Sequence, residues 1–216
     1  MDLVIKMDKN RNREILRKRI MKKTIDKMSE KLAGKEVHII KAVKLTNDLE
    51  NILNLLKENI EDWENRQPSG GAMEKLNELK QNKENIDQEK VSLDEFIEKE
   101  MNQELPNFSS ISGCILGAKL LAEAGSKKNL AFVPSSTIQL LGAEKALFNH
   151  IKKKSLPPKH GHIFNHPLIQ KLPKNKRGKA ARIIAGKLSI AAKMDYFESK
   201  DKIYLKKEVE VLISRL

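Results

Sequence analysis

Apolar residues between positions 37 and 66 recur in alternating steps of three and four, the cleanest periodicity in the chain. Steps that average 3.5 residues keep one stripe of an α-helix facing a partner helix, as in a coiled coil. One polar residue, Asn59, falls in this stripe, where a buried amide fixes the register of two helices at some cost in stability. The predicted seam consists of Ala42, Leu45, Leu49, Ile52, Leu56, Asn59 and Trp63.

A short turn separates this helix from a second one. The segment QPSGG (residues 67–71) contains a proline, which cannot continue a helix, and two glycines, which allow left-handed backbone. Beyond it the same spacing returns, with lysines at two of the seam positions: Leu76, Leu79, Lys83, Ile86, Lys90, Leu93 and Ile97. We therefore predict an antiparallel coiled-coil hairpin over residues 36–105, with helices about 45 Å long for about 30 residues at about 1.5 Å each.

The pattern changes after residue 105 to shorter helices that contain several small residues, which indicates close packing between helices. Caps and stops divide residues 106–216: Ser109 or Ser110 and Ser135 or Ser136 as caps, Gly125 and Pro157 as stops. The helix that starts near residue 135 would bury one stripe: Ile138, Leu141, Leu147 and Ile151. Two further helices are predicted at about 179–194 and at 203–216. We expect residues 106–216 to form one compact helical domain.

Composition supports an all-α fold. Hydrophobic residues make up 39% of the chain, aromatic residues only 4% and charged residues 33%, which suits helices with solvated faces better than a β-sandwich. Residues 1–35 hold 12 basic and 5 acidic side chains with irregularly spaced apolar positions. We interpret them as a basic N-terminal helical segment, which either extends the first hairpin helix or forms a helix of its own.

The net charge of +13 is concentrated in one part of the chain. No Asp or Glu occurs between Glu144 and Asp195, and this window holds 13 Lys and Arg, whereas residues 36–110 carry 9 basic and 17 acidic side chains. A block of like charges without counter-charges repels itself, and an anionic partner such as a phosphate backbone relieves that repulsion. The basic window therefore favours binding to a nucleic acid over a merely solvated surface.

Other classes of function find little support in the residues. The single cysteine, Cys114, excludes an internal disulfide framework and suits a small core position, and no signal peptide or membrane span is recognisable. The histidines at 160, 162 and 166 are clustered, but no acidic residue lies between 145 and 194 and the cysteine is distant, so we predict no metal site. Neither a nucleophile elbow nor a phosphate-binding glycine loop is present. We expect no cofactor and no enzymatic activity.

Three motifs carry a family resemblance. The segments PSSTIQLLGAEKALF (134–148), PKHGHIF (158–164) and RGKAARIIAGKLSIAAKMDYF (177–197) occur in the order and spacing of the Nop-domain signature. Residues 35–64 also resemble the first coiled-coil helix of that family. The family includes the box C/D ribonucleoprotein scaffold proteins of archaea and eukaryotes and a related spliceosomal pre-mRNA processing factor. The resemblance covers nearly all of the chain from residue 35 onward.

The resemblance implies that the C-terminal half recognises a composite surface, made of a kink-turn RNA and the small protein that binds it. Gly142, Ala143 and Glu144 would contact that protein, since small residues allow close approach and a carboxylate can meet a basic partner. The RNA would be contacted by Lys145, Asn149, Lys159, His160, Arg177, Lys179, Arg182 and Lys193. Arginine can contact phosphate with two hydrogen bonds or stack on an unstacked base. The predicted function is that of a scaffold in box C/D guide-RNA particles, which direct 2′-O-methylation of RNA.

The chain also departs from the family pattern. Many members have arginine where this chain has Asn149, and the scaffold proteins carry an N-terminal domain that holds the methyltransferase fibrillarin, whereas this chain starts almost at the coiled coil. Direct binding to fibrillarin is therefore not expected. The alternative is a coiled-coil assembly protein whose Nop-like domain serves only protein partners. Both interpretations allow the protein to form homodimers or heterodimers through the hairpin. The resemblance implies a cytoplasmic location in archaea and a nucleolar one in eukaryotes.

Overall fold

The computed structural model describes residues 14, 16–26, 28–29, 34–198 and 204–216, with the backbone alone for residue 204. Every regular element among these residues is helical, so the expected all-α fold is confirmed. The chain forms two compact units, residues 1–38 and 39–216. In the first unit, residues 16–26 are helical and their side chains are exposed. None of the described helices combines the length and apolar character needed to span a bilayer.

Two long helices, α1 (Lys35–Asn65) and α2 (Gly71–Glu104), form an antiparallel hairpin. Two ion pairs join them across the hairpin: Lys80 Nζ lies 2.5 Å from Glu64 Oε1, and Lys90 Nζ lies 3.8 Å from Glu50 Oε1. In the intervening turn, Gln67 and Gly70 have φ angles of 53° and 55°, the left-handed backbone that the glycine-rich segment predicts.

The α1 seam differs from the predicted one at alternate positions. Thr46 and Ile60 are buried and Leu53 is half-buried, whereas their neighbours in the predicted seam, Leu45 (48% exposed) and Ile52 (44% exposed), face solvent. Asn59 is exposed as well. The observed seam consists of Ala42, Thr46, Leu49, Leu53, Leu56, Ile60 and Trp63.

The predicted register role of Asn59 is therefore wrong. Its Nδ2 donates a hydrogen bond to the Leu55 carbonyl of its own helix, at 2.7 Å, instead of entering the hairpin. The error has a physical cause, because two heptad frames share positions 42, 49, 56 and 63 and each adds two apolar residues and one polar residue to them. The predicted frame adds Leu45, Ile52 and Asn59, and the observed frame adds Thr46, Leu53 and Ile60. On α2, all seven predicted positions are at least half-buried, and Leu76 and Ile97 are completely so.

In the part of the chain that the structure describes, nine further helical segments follow the hairpin. They are α3 (Pro106–Ser112), α4 (Cys114–Ala124), α5 (Lys127–Phe132), α6 (Ser135–Leu140), α7 (Glu144–Lys153), a 3-10 helix (His162–Asn165), α8 (Pro167–Gln170), α9 (Lys174–Tyr196) and α10 (Tyr204–Ser214). Helix α9 is central, since α3, α5, α6 and α10 all pack against it. Its buried stripe includes Ala180, Ile184 and Leu188, and the fully buried Phe108 and Ile138 lie in the same core. Cys114 packs at the edge of that core.

Three of the predicted caps and helix boundaries are wrong. Ser135 and Ser136 do not cap α6 but lie within it, and the N-cap residue is Pro134. Ser109 and Ser110 do not cap a helix but lie within α3, which begins at Pro106 and ends before Gly113, a residue with φ of 77°. The helix predicted from residue 135 to 157 is divided into α6 and α7 around Gly142, which has φ of 83°. The stop at Gly125 is confirmed, because that residue is left-handed and caps α4.

A candidate interface for RNA and protein

Gly142 marks the break between α6 and α7, and only glycine fits there. A Cβ atom added to it would lie 2.2 Å from the His162 ring, far inside van der Waals contact, and its φ of 83° is itself unfavourable for other residues. The Gly142 N–H donates to Glu144 Oε1 at 2.7 Å. The chain therefore turns sharply before Glu144, and α7 leaves the body of the domain from this point.

The loop that precedes the 3-10 helix is hydrogen-bonded to the end of α6. Gln139 Nε2 donates to the Lys159 carbonyl at 2.6 Å, the Gly161 N–H donates to the Gln139 carbonyl at 2.9 Å, and the His162 N–H donates to the Leu141 carbonyl at 2.7 Å. These hydrogen bonds hold residues 159–162 against residues 139–141, which directly precede the predicted contact segment 142–144. Gln139 and His162, which hold the segments in place, were not among the predicted site residues.

Three side chains form a stack next to this loop. The His160 ring lies 4.5 Å from the Phe164 ring, centroid to centroid, at an angle of 16°. The Arg177 guanidinium carbon lies 5.4 Å from the Phe164 centroid, within the range of a cation–π contact. Arg177 also donates from Nε to the Leu172 carbonyl at 2.8 Å. Burial lowers the pKa of His160, and the positive charges of Arg177 and Lys159 lower it further.

The basic side chains of α9 continue from this stack. A Cβ atom added to Gly178 would be 3.8 Å from Lys159 Cβ, so the Lys159 side chain passes over the start of α9. Lys179 and Arg182 are exposed and three residues apart, which places them on one face of the helix. Lys193 shares that face but lies 11 residues beyond Arg182, about 16 Å along the axis. The structure therefore groups Lys159, Lys179 and Arg182 and leaves Lys193 at a distance.

Helix α7 has an uncovered apolar face. None of its residues is buried, and Phe148 (55% exposed), Ile151 (70%) and the following Leu156 (92%) are open to solvent. Lys145 and Asn149 are exposed on the same helix, and Lys152 Nζ lies 4.5 Å above the Phe148 ring. The predicted burial of Ile151 is wrong, because the break at Gly142 turns α7 away from the core. The sequence signal for this was the glycine itself, in the middle of an otherwise helical pattern.

Acidic side chains near this surface are already engaged. Glu144 accepts from Gly142, and Glu123 Oε1 lies 3.2 Å from His162 Nε2. Lys187, a basic residue of α9 outside the predicted contacts, forms an ion pair with Glu208 of α10. We call the surface formed by residues 142–151, 159–160, 179 and 182 the composite face, because it joins exposed apolar side chains to exposed basic ones.

The three clustered histidines have separate environments. His160 stacks on Phe164, His162 lies against Gly142, and His166 is buried between α3 and α8. Among the described residues, no group of three or more His, Cys, Asp or Glu side chains is arranged to hold a metal ion.

Comparison with known proteins identifies relatives of the whole arrangement. The model of the Nop family, described as "snoRNA binding domain, fibrillarin", matches residues 5–216. An uncharacterised NOP5 family protein of Methanocaldococcus jannaschii is 55% identical over 101 residues, which is 47% of this chain and 24% of that protein. Nucleolar protein 56 of Dictyostelium discoideum is 34% identical over 185 residues, which is 77% of this chain and 34% of that protein. This chain therefore spans only about a quarter to a third of these relatives.

A solved structure shares the fold. The crystal structure of a fibrillarin/Nop5p complex contains a chain that superposes with a TM-score of 0.70 at 31% sequence identity, over 94% of this chain and 78% of that one.

Proposed function

Because the chain belongs to the Nop family of snoRNA-binding domains, we propose that it is a ribonucleoprotein scaffold that binds a kink-turn RNA together with the small protein bound to that RNA. The particles are of the box C/D guide type, in which the RNA directs 2′-O-methylation. The chain itself contributes binding and positioning, and we assign it no catalytic step. Its relatives include nucleolar proteins, so we expect a nucleolar location if the organism is eukaryotic.

The composite face is the observation that carries this proposal. A surface that binds RNA alone needs positive charge, and one that binds protein alone needs apolar side chains with few charges. Here the exposed Phe148 and Ile151 lie within two turns of Lys145, and Lys159 is hydrogen-bonded to Gln139, three residues before Gly142. A target that is protein on one side and phosphate backbone on the other matches both parts of this surface.

The contacts divide accordingly between the two partners. Gly142 and Ala143 allow close approach of the kink-turn protein, and the second carboxylate oxygen of Glu144 is available to a basic group of that protein. Phe148 and Ile151 extend this contact along α7. The phosphate backbone is met by Lys145, Lys159, Lys179 and Arg182. Asn149 supplies a hydrogen bond where many relatives supply a charge.

A salt titration tests the proposal. We would measure binding of a kink-turn RNA, with and without the kink-turn protein, at salt concentrations from about 50 to about 300 mM. The expected result is strong synergy with the protein and a slope of log affinity against log salt of several units, since each neutralised phosphate contributes about 0.9. The Lys145→Ala/Lys159→Ala/Arg182→Ala variant should flatten that slope by up to about 2.7.

A matched control variant removes three exposed lysines of the hairpin, by Lys57→Ala/Lys75→Ala/Lys99→Ala. It changes the net charge by the same amount and should leave the slope almost unchanged. RNA binding that is equally affected by both triple variants, or by neither, would contradict the proposal.

One observation favours a second function, assembly through the hairpin. Leu45 and Ile52 are seven residues apart on one face of α1 and remain exposed. A second copy or another helical protein could cover them. Sedimentation over a range of concentrations, for the wild type and for Leu45→Ser/Ile52→Ser, tests this function. A wild type that self-associates but binds no RNA would make assembly the main function.

A further inference from the structure

The stack of His160, Phe164 and Arg177 differs chemically from the rest of the composite face. The neighbouring residues offer positive charges on flexible side chains, whereas the stack offers a flat ring. The His160 and Phe164 rings are nearly parallel at 4.5 Å, and the Arg177 guanidinium also lies over Phe164. His160 is half-buried, and Phe164 covers one of its faces, so its exposure belongs to the other face and the ring edge.

This stack is held in place by backbone hydrogen bonds. The backbone of the His160 loop is fixed on both sides, by Gln139 to the Lys159 carbonyl and by the Gly161 N–H to the Gln139 carbonyl. The Phe164 N–H donates to the Gly161 carbonyl at 3.0 Å. A ligand that stacks on His160 would therefore find the ring already in position, and little conformational entropy would be lost on binding.

Arg177 supports the stack from within the domain. Its Nε donates to the Leu172 carbonyl at 2.8 Å and its Nη2 to the Gln170 carbonyl at 3.4 Å. A guanidinium used in this way has fewer donors for an external phosphate. Its charge nevertheless acts on His160, whose pKa is lowered mainly by burial; a backbone hydrogen bond opposes this shift, and the charges of Arg177 and Lys159 add to it. A lowered pKa favours the uncharged imidazole at neutral pH.

A flat, neutral ring surrounded by positive charge suits a nucleobase whose own phosphates are bound nearby. We propose that the outer face of the His160 ring is a stacking platform for one unpaired base of the bound RNA, and that Arg177 buttresses this platform instead of binding phosphate. Bases stack on aromatic and histidine rings in single-stranded loops and bulges, where they are free of the helix. The inference rests on the proposed RNA-binding function and assigns one nucleotide contact within it.

The first experiment separates stacking from charge in the full-length chain. His160→Ala should weaken binding of the kink-turn RNA about tenfold at every salt concentration, which is within the range of alanine substitutions at base-stacking residues. The salt slope should not change, because no phosphate contact is lost. His160→Phe should restore affinity to within about twofold of the wild type, since it keeps a ring.

Two variants serve as comparisons. Lys159→Ala should reduce the salt slope, by up to about 0.9, which His160→Ala should not do. His38→Ala removes an exposed histidine of α1 and should leave RNA affinity unchanged. Thermal unfolding of each variant would show whether its fold is intact.

The second experiment identifies the stacked base. Each unpaired nucleotide of the RNA is replaced in turn by an abasic one, and the affinity is measured with the wild type and with His160→Ala. At one position, the abasic change should weaken wild-type binding about tenfold and have almost no further effect on His160→Ala.

Several results would overturn the inference. Losses of affinity that are additive at every abasic position would exclude the stacking platform. So would a His160→Phe variant that binds RNA as weakly as His160→Ala. In either case, RNA binding by the wild type would leave the proposed function intact. A His160→Ala defect seen only when the kink-turn protein is present would assign the ring to that protein and also exclude the platform. Failure of the wild type to bind RNA overturns both the platform and the proposed function.

Discussion

Asp195 lies near the C-terminal end of α9, where its carboxylate accepts hydrogen bonds from the start of α3. Oδ1 accepts from the Asn107 N–H at 3.0 Å and from Asn107 Nδ2 at 2.7 Å, and Oδ2 accepts from the Phe108 N–H at 2.8 Å. These amides are among those that a helix cannot satisfy internally, and a negative charge at a helix N-terminus is favourable. The Asp195 side chain therefore joins the end of α9 to the start of α3.

The substitution Asp195→Ala should be strongly destabilising. Asp195 is only 5% exposed, so its removal leaves buried donors without a partner, and we expect a loss of about 3 kcal/mol in the free energy of unfolding. Urea unfolding followed by circular dichroism measures it. Asp62→Ala is the matched control, because Asp62 forms an exposed ion pair with Arg66 and should contribute less than about 1 kcal/mol. Equal effects of the two substitutions would show that the Asp195 contacts are energetically minor.

His166 is a second buried polar residue with a structural role. Its Nδ1 accepts from the Leu168 N–H at 3.2 Å and caps α8, so the proton resides on Nε2, which donates to the Ile111 carbonyl at 2.8 Å. Burial lowers the pKa of His166, and the hydrogen bond to Ile111 opposes this shift only in part. Protonation of Nδ1 would remove the cap and place a charge in the core.

The folded state should therefore lose stability in mild acid. Because the folded pKa lies below the unfolded value of about 6.5, the unfolded chain binds more protons between these two values. The contribution of neutral His166 to stability is therefore fully present above about pH 6.5, and it is lost as the pH decreases toward the folded pKa. Urea unfolding from about pH 8 to about pH 5 should show a weaker pH dependence for His166→Asn, since asparagine can cap α8 without titrating.

His160, whose pKa is also lowered, would contribute to the same decline. Both proteins in this comparison should therefore carry His160→Phe, so that only the residue at position 166 differs. Identical pH profiles with and without the His166→Asn substitution would assign the acid sensitivity to other groups.

At the scale of the helices, the sequence predicts that a helix forms more reliably than it predicts where the helix ends or which of its faces is buried. The hairpin, its turn and the α2 seam follow from the spacing of apolar residues, because that spacing is regular over about four turns and more. The α1 frame does not follow, since Leu45 and Thr46 compete for one position and only the partner helix decides between them. The division at Gly142 is suggested by the glycine, but the contact that excludes other residues there, with the ring of His162, is tertiary and has no local signal.

The predicted site shows the same limit. Motifs indicate Lys159, His160 and Gly142 as contact residues, and the structure packs the loop 159–162 against residues 139–142. No local pattern indicates that Arg177 turns inward to Leu172, or that Phe148 and Ile151 stay uncovered, because both depend on how the loop and α7 leave the core.

A pair of isoleucines on α1 tests the revised seam. Ile60 is buried in the hairpin and Ile52 is 44% exposed, so Ile60→Ala should cost about 2 to 3 kcal/mol in the free energy of unfolding and Ile52→Ala less than about 1 kcal/mol. Urea unfolding measures both free energies, at a protein concentration low enough to exclude self-association through the hairpin. A larger cost at Ile52 would restore the originally predicted frame.

Over the whole molecule, charge is separated along the chain. The hairpin region, residues 36–110, has 17 acidic against 9 basic side chains, while no acidic residue lies between 144 and 195. Such a distribution attracts a polyanion to the basic part and repels it from the hairpin, with a strength that decreases as salt is added. Under the proposed function, this charge distribution would keep RNA away from the hairpin and direct it to the basic window.

Substitutions in the apolar part of the composite face and in its basic part should therefore have separate effects on binding. Phe148→Ser/Ile151→Ser removes apolar surface but no charge, so it should abolish most of the synergy with the kink-turn protein and leave the salt slope for RNA unchanged. Fluorescence anisotropy of labelled RNA, with and without the kink-turn protein, measures both quantities.

The melting temperature of this variant should stay close to that of the wild type, because neither side chain is buried. Val91→Ser, at an exposed position of α2, is the control and should alter neither synergy nor slope. If synergy survives in Phe148→Ser/Ile151→Ser, then α7 is not the protein-facing part of the composite face, and contact with the kink-turn protein must come from residues 142–144 alone.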